Sequence, residues 1–189
     1  MTIELESASL ETTYWLENNG GHTPTSTTLH PDFTSLIKPG ALFLDVGCGY
    51  GRIARQLYAL GARGVAFDPN FQELLVGKEG SPNLPFLQAC GEQQPFSPYT
   101  FDGAVLLGVL GAVNRNEREE ILTETVEVLK TGGLIYVAEF ALITDPLQRT
   151  YYDKKQWVDV YTRDSIVTGE YGSVVVHNTS NGEISFITH

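Results

Sequence analysis

The stretch Leu44-Asp45-Val46-Gly47-Cys48-Gly49-Tyr50-Gly51-Arg52 decides the fold. It grows out of the apolar run Ala41-Leu42-Phe43-Leu44, which has the unbroken hydrophobicity of a strand buried on both faces. Glycines at 47, 49 and 51 let the backbone turn sharply and admit a ligand without Cβ obstruction. Ile53, Ala54, Leu57 and Leu60 then recur at helical spacing, and the start of such a helix presents N–H groups suited to a carboxylate or phosphate. The spacing is G-x-G-x-G rather than G-x-G-x-x-G, and an acidic residue stands two positions before the first glycine. Asp45 placed there repels a pyrophosphate and attracts an ammonium group.

Downstream, the apolar run Gly64 to Phe67 predicts a second strand that closes at Asp68, where a carboxylate accepts hydrogen bonds from both hydroxyls of a ribose. Asn70 followed by Glu73 predicts an N-cap, opening a helix that carries Phe71, Leu74 and Leu75. Leu84 to Leu87 is a third short strand, placed near an edge by Pro85. Phe101 to Leu107 is a fourth. Asn116 and Glu119 repeat the capping spacing ahead of a helix lined by Ile121, Leu122, Thr125, Val126 and Leu129, which Gly132-Gly133 ends. Leu134 to Phe140 is a fifth strand. Residues 172–177 and 183–188 are β-rich and predict a hairpin across the polar segment 178–182.

Buried strands alternating with helices require right-handed crossovers. The expected architecture is therefore α/β, a Rossmann-like doubly wound and mostly parallel sheet with a C-terminal antiparallel hairpin. Residues 1–40 are expected to form a helix and loop segment, with a short helix from Glu11 to Glu17, and residues 41–189 the main domain.

The whole chain agrees with this. Its 189 residues, 42% hydrophobic and 19% charged, suffice for one domain with a full core. Against 23 Asp and Glu there are 12 Lys and Arg, a formal charge of −11 that opposes binding to nucleic acid or to an anionic membrane. No apolar run approaches the roughly 20 residues that cross a bilayer. The acidic start, Met1 to Glu6, lacks the features of a signal peptide, so a cytoplasmic protein is expected. Cys48 and Cys90 are far apart, and His22, His30, His177 and His189 are scattered, which predicts neither a metal site nor a redox pair.

Asp45 and Asp68 together bracket a ligand that has an amino-acid end and a ribose, as S-adenosylmethionine does. Here the sequence resembles the class I S-adenosylmethionine-dependent methyltransferases, in particular the small-molecule branch that includes the quinone-biosynthesis enzymes. The resemblance rests on residues 44–51, on Asp68, and on Cys90 to Val113, where Glu92, Pro95-Phe96, Phe101-Asp102 and Leu110 fall on matching positions. Residues 128–134 look like the family's segment before the fifth strand, with Thr131 where Pro is usual.

What the resemblance implies is specific. Gly47, Cys48 and Gly49 would contact the methionine part through backbone atoms. Asp45 would act on its ammonium, Asp68 would hold the ribose, and Pro69 would lie against the adenine. Cys90 and Gly91 would stand at the adenine edge, and Leu107 would offer a carbonyl to the ammonium. Three departures stand out: Cys90 replaces the usual Asp that accepts from the adenine amino group, Leu106-Leu107-Gly108 is apolar, and the chain stops at His189 where many relatives continue into a helix. An uncovered sheet edge there would favour a homodimer.

The sulfonium methyl is already activated, so the implied reaction is in-line transfer to a small-molecule acceptor, neutral or cationic by the charge of the surface. A base is needed only for a protonated acceptor, and His30, His22, Tyr14 and Glu139 are the groups to test. Tyr14, Trp15, His22 and His30 are also candidates for a lid, with core packing as the alternative. Tyr151, Tyr152 and Trp157 line a substrate cavity or form a satellite cluster. Asp102 is expected to brace the start of its strand. Two competing functions are a non-catalytic adaptor that kept the fold and a nicotinamide-dependent oxidoreductase.

Overall fold

The computed structural model describes residues 28–138 and, as backbone, the strands 156–159, 164–169 and 172–176. The elements are α1 (Pro31–Thr34), β1 (Leu42–Val46), α2 (Arg52–Ala59), β2 (Arg63–Asp68), α3 (Phe71–Gly80), β3 (Phe86–Gln88) and β4 (Phe101–Leu107). A 3₁₀ turn (Leu110–Ala112) follows, then α4 (Arg115–Glu127), β5 (Leu129–Ala138), β6 (Gln156–Asp159), β7 (Asp164–Gly169) and β8 (Gly172–Val176).

β1 to β5 form one parallel sheet in the order β3-β2-β1-β4-β5. The chain leaves β1 toward one edge and later returns on its other side as β4, which makes the carboxyl ends of β1 and β4 the point where strand order reverses. Successive residues of each strand face opposite layers. Phe43 and Val105 pack with Ile53 and Leu57 of α2, and with Leu29 and Phe33 around α1. Leu44, Val46, Ala104 and Leu106 pack with Ile121 of α4 on the other face. Phe43, Phe67 and Phe101 are essentially inaccessible to water, and burying each stabilises the fold by roughly 1.5–3 kcal/mol.

Several expectations shift. Helix α4 begins two residues earlier than its Asn116–Glu119 spacing suggests. Asn114 is the N-cap, accepting from the N–H groups of Asn116 and Glu117, while the Glu117 carboxylate reaches back to the Asn114 N–H. The same N-x-x-E spacing occurs in both registers; the backbone is extended through Val113 and Asn114 and helical from Arg115, which makes Asn114 the cap. Gly132-Gly133 does not end the helix. Val128 does, and the glycines lie inside β5, where the pairing jumps from Phe101↔Leu129 to Gly103↔Leu134. Gly132 there has φ 76°, a bulge conformation that glycine adopts without strain.

In α3 only Leu74 of the three expected apolar residues is buried, with Phe71 50% and Leu75 43% exposed. Leu60 lies just past α2 and is 40% exposed. β3 is the edge strand that Pro85 implied. β8 pairs antiparallel with β7, upstream of it, in a separate three-stranded sheet β6-β7-β8. Residues 183–188, its expected hairpin partner, lie outside the described residues, as do the expected helix 11–17 and the end of the fifth strand.

Candidate functional site

The glycine loop is folded onto the ends of β1 and β2 by its own backbone. The Cys48 N–H donates to the Phe67 carbonyl at 2.9 Å, the Gly49 N–H to Asp68 Oδ2 at 2.8 Å, and the Gly51 N–H to the Cys48 carbonyl at 2.8 Å. Gly47, Gly49 and Gly51 all have left-handed φ. A Cβ at Gly47 would stand 2.7 Å from Val109 Cγ2, and one at Gly51 would stand 2.5 Å from the Phe86 ring. The glycines thus serve the fit of the loop against the β4 and β3 sides as well as its turn.

Asp45 is 3% exposed and sits beneath this loop. Its Oδ2 accepts from the Ala54 N–H at 2.8 Å, three positions into α2. Gly51, the N-cap, has no side chain to do this, so Asp45 caps the helix from a distance. Burial is the main reason its carboxyl is pushed up to about 7, with Asp68 adding to the rise and the Ala54 bond, Arg52 and Arg55 opposing it.

Asp68 holds two backbone donors, Gly49 N–H on Oδ2 and Asn70 N–H on Oδ1, each at 2.8 Å. Burial raises its carboxyl above the ordinary range, and those two bonds resist. A carboxylate has about four lone-pair sites, so one remains on each oxygen. That is the acceptor count two adjacent hydroxyls require.

A third acid borders the loop. Glu73 Oε2 lies 3.5 Å from where a Cβ on Gly49 would be, and its charge is felt by Cys48 along with those of Asp45 and Asp68. Burial, more than these charges, lifts the Cys48 thiol well above its usual value, and its Sγ–H donates to the Gly49 carbonyl at 3.3 Å. The sequence marked Glu73 only as a capping residue; its i+3 position from Asn70 also aims it at a loop twenty-odd residues upstream, which spacing alone does not reveal.

These geometries decide between ligand classes. Loop N–H groups at Cys48, Gly49 and Gly51 already have acceptors, and Asp45 occupies the Ala54 donor of α2. The donors at Cys48, Gly49, Gly51 and Ala54 are therefore taken by the protein's own oxygens, and the carboxylates of Asp45, Asp68 and Glu73 border the loop. The arrangement suits a cationic amino-acid end joined to a ribose, and the residues present fit S-adenosylmethionine rather than a pyrophosphate-bearing dinucleotide.

The remaining candidates fall around this centre. The Pro69 carbonyl accepts from Gln88 Nε2 at 3.0 Å, tying the end of β2 to β3. Cys90 and Gly91 follow β3, and Leu107 ends β4, where the next residue, Gly108, donates its N–H to Ala138 of β5. Arg52 opens α2 and acts on Asp45 by its charge. His30 is an exposed N-cap of α1: its Nδ1 accepts from the Asp32 N–H, while its own N–H donates to the Tyr136 hydroxyl at 3.4 Å. Asp102 braces the opposite end of the sheet, Oδ2 accepting from the Leu42 N–H and Oδ1 from Lys130 Nζ. Tyr14, Trp15, His22, Glu139, Tyr151 and Tyr152 lie outside the described residues, and Trp157 is described only as part of β6. Among the described residues no three His, Cys, Asp or Glu side chains gather as a metal site.

Residues 44–137 match the methyltransferase domain family. Over 114 residues the chain is 34% identical to a demethylmenaquinone methyltransferase of Renibacterium salmoninarum, covering 60% of this chain and 47% of that one. Over 142 residues it is 32% identical to a ubiquinone/menaquinone biosynthesis C-methyltransferase of Rhizobium leguminosarum bv. trifolii, covering 70% and 54%. The chain spans about half the length of these curated relatives. The solved structure of a SAM-dependent methyltransferase from Methanosarcina mazei superposes with a TM-score of 0.73 at 21% identity, over 82% of this chain and 80% of that one, a likeness of fold.

Proposed function

We propose that this chain, whose residues 44–137 match the methyltransferase domain family, is a class I S-adenosylmethionine-dependent methyltransferase that transfers a methyl group to a small molecule. The observation that carries the reading is the Asp68 carboxylate, fixed by Gly49 and Asn70 so that one acceptor site per oxygen faces no backbone donor. Asp68 holds the ribose, Gly47, Cys48 and Gly49 lie along the methionine part, and Asp45 balances its ammonium from below the loop. Pro69, Cys90 and Gly91 border the base, and Leu107 borders the ammonium from β4. S-adenosylmethionine, when bound, supplies an electrophilic methyl, so the chain's own task is to hold it in line with the acceptor and keep water out.

The acceptor is a neutral or cationic small molecule, and the relatives' names make a quinone-type ring carbon the first to try. The free thiols Cys48 and Cys90 support a reducing, cytoplasmic setting. Among the described residues no helix is long and apolar enough to cross a membrane. The test is transfer of a labelled methyl group to a panel of ring-carbon, phenol and amine acceptors. A methylated product formed one-to-one with S-adenosylhomocysteine is expected. Cofactor binding without transfer to any acceptor would contradict the catalytic reading and favour the adaptor.

A further inference from the structure

Strand β3 ends the five-stranded sheet, and among the described residues no strand pairs with its outer side. In a parallel pair, alternate residues turn their backbone groups toward the neighbouring strand. The Ala66 N–H donates to the Pro85 carbonyl at 3.0 Å and the Ala89 N–H to the Asp68 carbonyl at 3.3 Å. Pro85, Leu87 and Ala89 therefore face β2, and the N–H and carbonyl groups of Phe86 and Gln88 turn outward. Pro85 lacks an N–H on the inner side only, so it removes nothing from the open edge. Side chains alternate along the same strand. The Phe86 ring lies under α3, where a Cβ on Gly77 would stand 2.9 Å from it, and Leu87 points to the opposite face, 37% exposed. One flank of α3 runs above this edge. Phe71, Leu75 and Lys78 follow one another along it at helical spacing, the first two about half exposed. Lys78 Nζ donates to the Leu84 carbonyl at 3.1 Å, which holds that flank over the approach to β3.

We propose that β3 pairs antiparallel with β3 of a second copy of this chain, across a two-fold axis that passes beside Leu87. The open groups dictate the register. With Leu87 of one copy opposite Leu87 of the other, each Phe86 stands opposite a Gln88, and every outward N–H and carbonyl of both strands finds a partner. A shift of one residue would leave them unpaired. The same axis, perpendicular to the sheet, sets the two α3 helices side by side on one face, Phe71 and Leu75 of each toward the other. On the second face it brings the two Leu87 side chains together. Charge favours a second copy at this edge. The chain carries −11 overall, so two copies repel over most of their surface, yet from Gly80 to Gly91 it has no Asp, Glu, Lys or Arg. Edge strands of proteins that stay single are commonly guarded by such charges. A short strand and a few half-exposed side chains fall at the low end of interface sizes, so the dimer is weak and depends on concentration. The contact does not involve Asp45, Asp68 or the glycine loop, and it stands apart from the cofactor reading.

The test is sedimentation velocity of the whole chain from about 1 µM to about 300 µM, a range that spans moderate and weak association. The wild type should pass from monomer to dimer across it. Raising NaCl from about 0.05 M to about 0.5 M should tighten the dimer, because screening removes repulsion between two acidic copies. Leu87→Lys sets like charges against each other across the axis and should leave a monomer that melts as the wild type does. Because Leu87 makes no backbone bond across the axis, the two Cα atoms there approach to about 4.5 Å, within disulfide range. Mild oxidation of Leu87→Cys in a Cys90→Ser background should therefore join two chains. Tyr58→Cys in the same background, on α2 and 55% exposed in the wild type, should not. A wild type still monomeric at about 300 µM would overturn the proposal. A dimer that persists in Leu87→Lys, a dimer that salt weakens, or equal cross-linking of the Tyr58→Cys control would overturn it too. The wild-type measurements decide the matter even if a variant does not fold.

Discussion

The carboxylate of Asp45, at the end of β1, closes the first turn of α2 by accepting from the N–H of Ala54 at 2.8 Å, nine residues along the chain. This bond makes the glycine loop a staple between strand and helix. It also explains how a motif of three glycines, which offers no capping side chain at Gly51, starts a stable helix.

Asp45→Asn should keep the cap, since its amide oxygen can still accept from Ala54, while removing a buried ionisation. Asp45 has its carboxyl raised from 3.8 to about 7 in the folded chain. The folded form therefore holds the proton more tightly than the unfolded one, and the associated stability is complete below about pH 4 and lost as pH rises to about 7. A displacement of that size corresponds to about 4 kcal/mol. Thermal melts from pH 4 to 8 should show wild-type stability falling across that window and a flatter profile in the variant, which should be the more stable of the two at pH 8.

The same carboxyl couples cofactor binding to protons. A cation placed above Asp45 favours its ionised form. Binding of S-adenosylmethionine at pH 6 should therefore release protons, and at pH 8.5 it should release almost none. Titrations in two buffers of different ionisation enthalpy measure the difference. Asp45→Asn should reduce the release at pH 6, leaving only what the raised carboxyl of Asp68 contributes.

Gly51→Ala should be costly. Its φ of 78° is left-handed, which costs an alanine roughly 1–2 kcal/mol. The new methyl group would also meet the Phe86 ring. A loss of about 2–4 kcal/mol in urea unfolding is expected, together with weaker cofactor binding, since the loop and β3 must part to accommodate it.

Asp102 works at the far end of the sheet. Its bonds from the Leu42 N–H first and Lys130 next hold its carboxyl below the ordinary 3.8. Its contribution is present above about pH 4 and lost as pH falls through the lowered folded value. Asp102→Ala should lower Tm by a few degrees at pH 7. The gap should narrow in acid, and affinity for S-adenosylmethionine should be unchanged.

Much of this was legible from residue order. The apolar runs ending at Asp45, Asp68 and Leu107 mark the carboxyl ends of β1, β2 and β4, because a parallel strand buried on both faces has to be continuously hydrophobic. Asp102 was readable as a brace because it sits one residue into a strand. Other features depended on contacts across the fold. The two capping registers at Asn114 and Asn116 have equal local merit, and only the preceding turn separates them. Gly132-Gly133 reads as a helix stop from one side and as a bulge from the other; its pairing with β4 selects the second. The role of Glu73 beside Gly49, and the occupation of the loop N–H groups, came from tertiary geometry that no spacing encodes.

The most direct test of the account is calorimetric titration with S-adenosylmethionine, with NAD as control, on the wild type and on Asp68→Ala. Micromolar binding of S-adenosylmethionine, none of NAD, and a loss of at least tenfold in affinity in the variant are expected, with circular dichroism showing the fold intact. Equal affinity of the two proteins for S-adenosylmethionine, or saturable binding of NAD, would contradict it.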